Sequence, residues 1–164
     1  MTAPTAQQRY GLGNSSPKVH HLLAQAEFLG PDATDLPDRI GVAPGASVID
    51  IGCGVLGILR QLRSRVGNKG RAVGLDIEPR LPALTGQLSA RHSLGAQTVR
   101  ADAASTGLPS GSFDLVHERM LLLNVTRPED IVAEMARLAH VHRRRSASLA
   151  SCLRPAMLPA VTAG

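Results

Sequence analysis

SVIDIGCGVLG, residues 47–57, is the stretch that decides the fold. A short apolar strand with Asp50 near its end runs into a turn spelled GxGxxG, and Ile58, Leu59, Leu62 and Val66 then recur at the spacing of one helix face. Gly67 and Asn68 stop that helix. A strand that ends in a glycine turn and opens a helix is half of a βαβ unit, so the question for the rest of the chain is whether the grammar repeats.

It does. RAVGLD at 71–76 reads as a second strand, and a helix opens at Glu78 and Pro79 with Leu81, Leu84 and Leu88 on one face. Residues 97–101 read as a short third strand and FDLVH at 113–117 as a fourth. In the helix that begins at Pro128, Glu129 and Asp130, the residues Ile131, Val132, Met135, Leu138 and Ala139 share a face. This alternation predicts an α/β domain, a Rossmann-like parallel sheet with flanking helices, over residues 46–140. Upstream, Ser15, Ser16 and Pro17 start a helix with Val19, Leu22, Leu23, Ala26 and Leu29 on one side, so residues 1–45 are expected to form an amino-terminal helical cap. Residues 141–164 lose both periods and are expected to be an irregular basic tail.

Composition narrows the class. The 164 residues suit one domain, 43% are hydrophobic and 19% charged, and no apolar run approaches the roughly 18 residues that span a bilayer. With no hydrophobic signal segment at the amino terminus, the expected compartment is the cytoplasm and no membrane is expected as a partner. Cys53 and Cys152 cannot make a four-cysteine metal site, so neither a metal nor a disulfide is expected. The net charge of +5 invites a nucleic-acid reading, but residues 1–140 hold 14 Lys and Arg against 13 Asp and Glu, whereas residues 141–164 hold four Arg and no acid. The basicity belongs to the tail. With Tyr10, Phe28 and Phe113 as its only aromatic residues, the body also lacks stacking platforms for bases, and no nucleic acid is expected.

The glycine turn lets backbone approach a ligand closely, and the helix after it presents unpaired N–H groups to an anionic group. Two cofactors compete for such a turn, a nicotinamide or flavin dinucleotide and S-adenosylmethionine. Asp50, two residues before Gly52, would repel a pyrophosphate but suits a sulfonium and an ammonium group. Asp76 ends the second strand, where an acid can accept hydrogen bonds from two ribose hydroxyls in either cofactor. Asp102 follows the third strand and can accept from an adenine amino group, or serve only as a turn-forming Asp. His117, at the carboxyl end of the fourth strand, is the candidate general base, with a hydrogen-bonded structural histidine as the alternative.

VIDIGCGVLGIL, VGLDIEPR, RADAASTGLPSGSFDLV and RPEDIVAEMARLA, taken together, resemble successive motifs of class I S-adenosylmethionine-dependent methyltransferases, close to the ubiquinone and menaquinone methyltransferase-like small-molecule group. The likeness covers residues 47–140. It implies S-adenosylmethionine as cofactor, held by Asp50, Gly52 and Gly54 at its methionine part, by Asp76 at its ribose, and by Asp102 with Ala103 at its adenine edge, with Cys53 and Ile77 among the cofactor-binding residues. It also implies methyl transfer to a small molecule. An NAD(P)-binding oxidoreductase-type domain and a non-catalytic cofactor-binding or partner-binding module are the alternatives.

Two departures from the family pattern stand out. The family loop commonly reads GxGxG, and here Gly57 is displaced by one residue. The strands that follow the last helix in the family are not evident after His140, so the sheet is expected to be incomplete relative to seven strands and the tail to reflect truncation or a change of reading frame. On that view the fourth strand presents an unpaired apolar edge, through which the chain would self-associate.

Overall fold

The computed structural model describes Ala24, residues 39–140 and, as backbone, residues 148–151. Of the expected cap over residues 1–45, Ala24, which is helical, and residues 39–45 are described; the rest of it, Cys152 and most of the basic tail lie outside the described residues. Within them the order is β1 (Ser47–Ile51), α1 (Leu59–Val66), β2 (Arg71–Asp76), α2 (Arg80–Arg91), β3 (Gln97–Arg100), β4 (Leu115–Glu118), a 3₁₀ turn (Leu122–Asn124), α3 (Pro128–Leu138) and β5 (Ser148–Ser151). All pairings are parallel, in the spatial order β3-β2-β1-β4-β5. The α/β, Rossmann-like reading of the sequence is the fold.

Parallel strands covered on both faces need apolar side chains on both, which explains why β1 and β2 read as near-continuous apolar runs. One face packs Val48, Ala72 and Leu115 against Leu59, Leu62 and Val66 of α1. The other packs Ile49, Ile51, Val73, Leu75 and Val116 against Ile131, Met135 and Leu138 of α3. Each such side chain, fully buried, contributes about 1.5–3 kcal/mol of burial free energy. Arg63 of α1 ties the turns that lead into β2 and β3, donating from Nε to the Leu94 carbonyl (3.0 Å) and from Nη1 to those of Gly67 and Gly70 (2.6 and 2.9 Å). α3 begins with Pro128 in its first turn beside Glu129 and Asp130, as the sequence predicts.

Two expectations are corrected. β4 is not an unpaired edge: Leu115, Val116, His117 and Glu118 pair in register with Ser148, Leu149, Ala150 and Ser151. A strand within the stretch expected to be irregular therefore covers the edge through which self-association was expected. SLAS carries no period-2 signal in the sequence, because its two apolar residues, Leu149 and Ala150, are adjacent and flanked by serines. The fourth strand is also shifted. Phe113 bridges Ala139 rather than joining the strand, and Asp114 meets Ser47 through backbone and side chain, leaving 115–118 as the paired run.

The chain leaves β3 at one edge and returns as β4 on the far side of β1. This places the reversal of strand order between β1 and β4, with the carboxyl ends of β1, β2 and β4 beside it, where open α/β sheets bind ligands.

Candidate functional site

β1 delivers Asp50 to the foot of the glycine turn, and the turn closes on it. Oδ2 of Asp50 accepts the N–H of Ile58, the residue that caps α1 (3.2 Å), and Nδ1–H of His117 donates to Oδ1 (2.7 Å). Asp50 is 3% exposed and His117 1%. Gly57, at φ +46°, packs so tightly here that a Cβ would lie 2.2 Å from Oδ2 of Asp50 and 2.8 Å from the Cys53 carbonyl oxygen. The displaced third glycine thus makes room for the carboxylate beneath the turn.

β2 delivers Asp76 beside the same turn. Its Oδ2 accepts Gly54 N–H (3.0 Å) and its Oδ1 accepts Glu78 N–H (3.0 Å), two of the roughly four hydrogen bonds a carboxylate can accept. Gly52 and Cys53 both donate backbone N–H groups to the Leu75 carbonyl (2.8 and 3.0 Å). Thr85 of α2 completes the turn, its Oγ1 donating to the Gly54 carbonyl (3.1 Å) and accepting Leu56 N–H (3.0 Å). Cys53 is buried, and that burial, with the carboxylates of Asp50 and Asp76 behind it, pushes its thiol well above the ordinary range; it is a packed neutral group.

Above the turn lies a cavity of about 600 Å³, part of it open to solvent. Gly52, Asp76 and Ile77 form one side, and Asp102, Ala103 and Ala104 a second. Leu121 and Val125, from the turn after β4, form a third, and Thr126, Arg127, Asp130 and Ile131 at the start of α3 close the ring. Asp102 lines the cavity, and its Oδ1 accepts Ala104 N–H in a tight turn (2.9 Å). Three carboxylates, Asp76, Asp102 and Asp130, face one guanidinium, Arg127, which Asp130 holds at 3.0 Å. Such a wall favours a cationic ligand and disfavours a pyrophosphate.

The structure therefore brings together five of the expected ligand residues, Gly52, Asp76, Ile77, Asp102 and Ala103, and sets four others apart. Asp50, Cys53, Gly54 and His117 do not line the cavity. Asp50 and His117 are spent on each other beneath the turn, and a general base has to reach the proton it removes, which a ring buried there does not. The residues after β4 and at the start of α3 went unassigned in the sequence. The run MLLLNV reads as an apolar turn, and nothing in its spacing aims Leu121 or Val125 at a ligand.

The wall at 102–110 is tied to α3. Oε1 of Glu134 accepts the backbone N–H and the hydroxyl of Thr106 (2.8 and 2.5 Å), and Arg137 donates to Glu134, to the Leu108 carbonyl (2.8 Å) and to the Ser110 hydroxyl (2.8 Å). The Arg137 guanidinium, hydrogen-bonded to it, holds the Glu134 carboxyl down to about 2, with the Thr106 donors adding to the effect.

Comparison with known proteins converges on this arrangement. A family model described as a methyltransferase domain matches residues 48–144. The chain is 35% identical over 113 residues to a nocamycin O-methyltransferase of Saccharothrix syringae, covering 68% of this chain and 40% of that one. It is 32% identical over 103 residues to a ubiquinone/menaquinone biosynthesis C-methyltransferase of Hahella chejuensis, covering 62% and 41%. It thus spans about two fifths of the length of these curated relatives. Its fold superposes on a SAM-dependent methyltransferase of Aquifex aeolicus with a TM-score of 0.69 at 19% identity, over 78% of this chain and 69% of that one. The chain belongs to the methyltransferase-domain family of class I S-adenosylmethionine-dependent methyltransferases.

Proposed function

We propose that this chain binds S-adenosylmethionine in the cavity above Gly52 and takes part in methyl transfer to a small, largely apolar acceptor. One observation carries the reading: Asp76 and Asp102, from the ends of neighbouring strands, share with Gly52 a single cavity whose remaining lining is apolar apart from Thr126, Arg127 and Asp130. An adenosine-bearing sulfonium fits that donor set, with carboxylates as acceptors for hydroxyl and amino groups, Ile77, Ala103 and Leu121 as flat apolar contacts, and a net negative wall for the cationic end.

When bound, the cofactor supplies an electrophilic methyl group. The residues of the chain bind, orient and exclude water, which is most of what an in-line displacement asks of a protein. Asp76 takes the ribose, held by Gly54 and Glu78 N–H groups so that its carboxylate is oriented before a ligand arrives. Asp102 and Ala103 take the adenine edge, on the wall that Glu134 and Arg137 fix. Asp50 and His117 support the turn from below without touching ligand. The apolar acceptor is supported by Leu121, Val125 and Ile131 in the cavity's lining, and by relatives whose names give them a nocamycin and a quinone pathway as their setting. Cytoplasmic action is part of the proposal. The free, buried Cys53 suits a reducing compartment, and among the described residues no helix is long and apolar enough to cross a membrane.

Isothermal titration of the full chain with S-adenosylhomocysteine tests the reading. Saturable binding in the wild type, weakened about tenfold or more by Asp76→Ala as expected for a lost charged hydrogen-bond acceptor, supports it. Equal affinity in the two proteins, or tighter binding of NAD, removes it.

A further inference from the structure

Glu118 is the last residue of β4, 2% exposed and flanked by Ile51 of β1 and Ser151 of β5. A carboxylate buried in the middle of a sheet needs a reason. Its Oε2 accepts two consecutive backbone N–H groups beyond the strand, those of Leu121 (3.1 Å) and Leu122 (3.3 Å), and so caps the 3₁₀ turn from inside the sheet. The chain between passes through Met120 at φ +65°, a left-handed conformation that a bulky residue rarely adopts without being held. Asn124 closes the turn from the other side, its Nδ2 donating to the Met120 carbonyl and its N–H to that of Leu121.

The turn places Leu121. Its side-chain carbons come within 3.0–3.2 Å of where a Cβ on Gly52 would stand, and it walls the cavity while remaining part of the core. Leu121 is thus fixed on two sides, by a carboxylate at its N–H and by the missing side chain of Gly52 under its methyl groups.

We propose that Glu118 is a positioning residue whose carboxylate holds the 119–124 turn so that Leu121 closes on Gly52 as the third wall of the ligand cavity. The ligand's identity rests on the cofactor reading above; the hold on the turn does not. The sequence places no glycine in this turn and no motif marks it, so the carboxylate does here what backbone freedom does at residues 52–57.

The test uses the full chain and two readouts. Hydrogen–deuterium exchange without ligand follows the peptide carrying the Leu121 and Leu122 amides, and isothermal titration with S-adenosylhomocysteine gives affinity. Glu118→Ala is expected to speed exchange of those amides and to weaken binding, each at least about tenfold, since both N–H groups lose their carboxylate acceptor and one such bond alone is on that scale. Glu118→Gln, whose amide oxygen can accept the same two N–H groups, stays within about threefold of wild type on both, because a neutral acceptor keeps about half the strength of a charged one and half of a tenfold effect in free energy is about threefold. Leu121→Ala weakens binding similarly. The double variant Glu118→Ala, Leu121→Ala is no weaker than the weaker single variant, since the two residues act through one contact. Unchanged exchange in Glu118→Ala, a glutamine variant as impaired as the alanine one, or losses that multiply in the double variant would overturn the proposal. If Glu118→Ala does not fold, Glu118→Asp, one methylene too short to reach both amides, is read by the same criteria. A wild type that binds no S-adenosylhomocysteine removes the cofactor reading, while the exchange measurements still decide the role of Glu118.

Discussion

Two turns meet in the wall of the cavity, Leu121 of one packed on Gly52 of the other, and they solve one problem by different means. The turn at 52–57, after β1, bends with glycines and hides Asp50 beneath it. The turn at 119–124, after β4, has no glycine, takes a left-handed residue at Met120 and is held by Glu118. The first is bent by glycines and by Leu56 at φ +65° around the carboxylates and hydroxyl of Asp50, Asp76 and Thr85, with no room for a further atom at Gly57; the second, without a glycine, is held by one carboxylate. A turn of the first kind should tolerate almost no added atom, and one of the second kind should tolerate most changes except at the residue that holds it.

The largest effect expected is from Gly57→Ala. Its Cβ would fall 2.2 Å from Oδ2 of Asp50 and 2.8 Å from a backbone carbonyl, at a φ of +46°. The clash and the backbone strain together should remove at least about 3 kcal/mol of stability, in the range reserved for severe core lesions. Urea unfolding followed by far-ultraviolet circular dichroism measures it. A variant within about 1 kcal/mol of wild type, the ordinary scale for point substitutions, would mean that Asp50 can swing aside, and the contrast between the two turns would fail.

Asp50→Ala comes next. It leaves His117 Nδ1–H and Ile58 N–H buried without their acceptor, and breaking a buried pair costs about 3 kcal/mol or more. The informative comparison is with ligand affinity. If Asp50 is framework, denaturant resistance falls while the affinity of the folded fraction holds. An alanine variant that unfolds like wild type but binds S-adenosylhomocysteine tenfold more weakly would return Asp50 to the ligand.

These two residues also mark how far the sequence could be read. Strand, turn and helix follow from apolar periodicity and glycine spacing, and both are local signals, so β1, α1, β2 and α3 stand where the sequence puts them; the cofactor class comes instead from the acids at the strand ends and from the resemblance of the motifs. Asp76 and Asp102 are legible for the same reason, being acids at strand ends. Asp50 is equally visible, but which way its carboxylate turns depends on His117, 67 positions away and brought near only by the pairing of β4 with β1. Glu118 and Leu121 were hidden because their roles depend on a backbone conformation at Met120 that side-chain chemistry does not announce. β5 was hidden because Ser148–Ser151 has no apolar alternation, and its pairing partner supplies the reason for its place.

A smaller effect tests the wall shared by both halves. Above its ordinary pKa of 4.5 Glu134 is ionised in folded and unfolded chains alike, and the hydrogen bonds from Arg137 and Thr106 stabilise only the folded form. As pH falls through 4.5 the unfolded chain takes up a proton that the folded chain refuses until about 2, so the stabilisation present at neutral pH is lost across that window. Glu134→Gln should cost about 1 kcal/mol at pH 7, a modest figure because Arg137 is partly exposed to solvent, and the difference from wild type should shrink toward pH 3. Denaturant midpoints at the two pH values check it. A difference that grows on acidification would have the wrong sign for a depressed carboxyl.

The smallest effect bears most directly on the contrast. Met120 is 40% exposed and sits at φ +65°, so its side chain contributes little packing while its backbone bears the cost of the left-handed region. Glycine enters that region freely but has more conformational freedom to lose on folding. The two terms nearly cancel, and Met120→Gly should change stability by about 0.5 kcal/mol at most, on the stabilising side. Cofactor affinity should stay within about twofold, because Glu118 still holds the Leu121 amide and a change that small is near the 0.5 kcal/mol scale of surface substitutions. A glycine here that loosened the cavity tenfold would mean that the turn was held by the stiffness of Met120 and not by the carboxylate below it. The two turns would then be alike after all, each set by its own backbone.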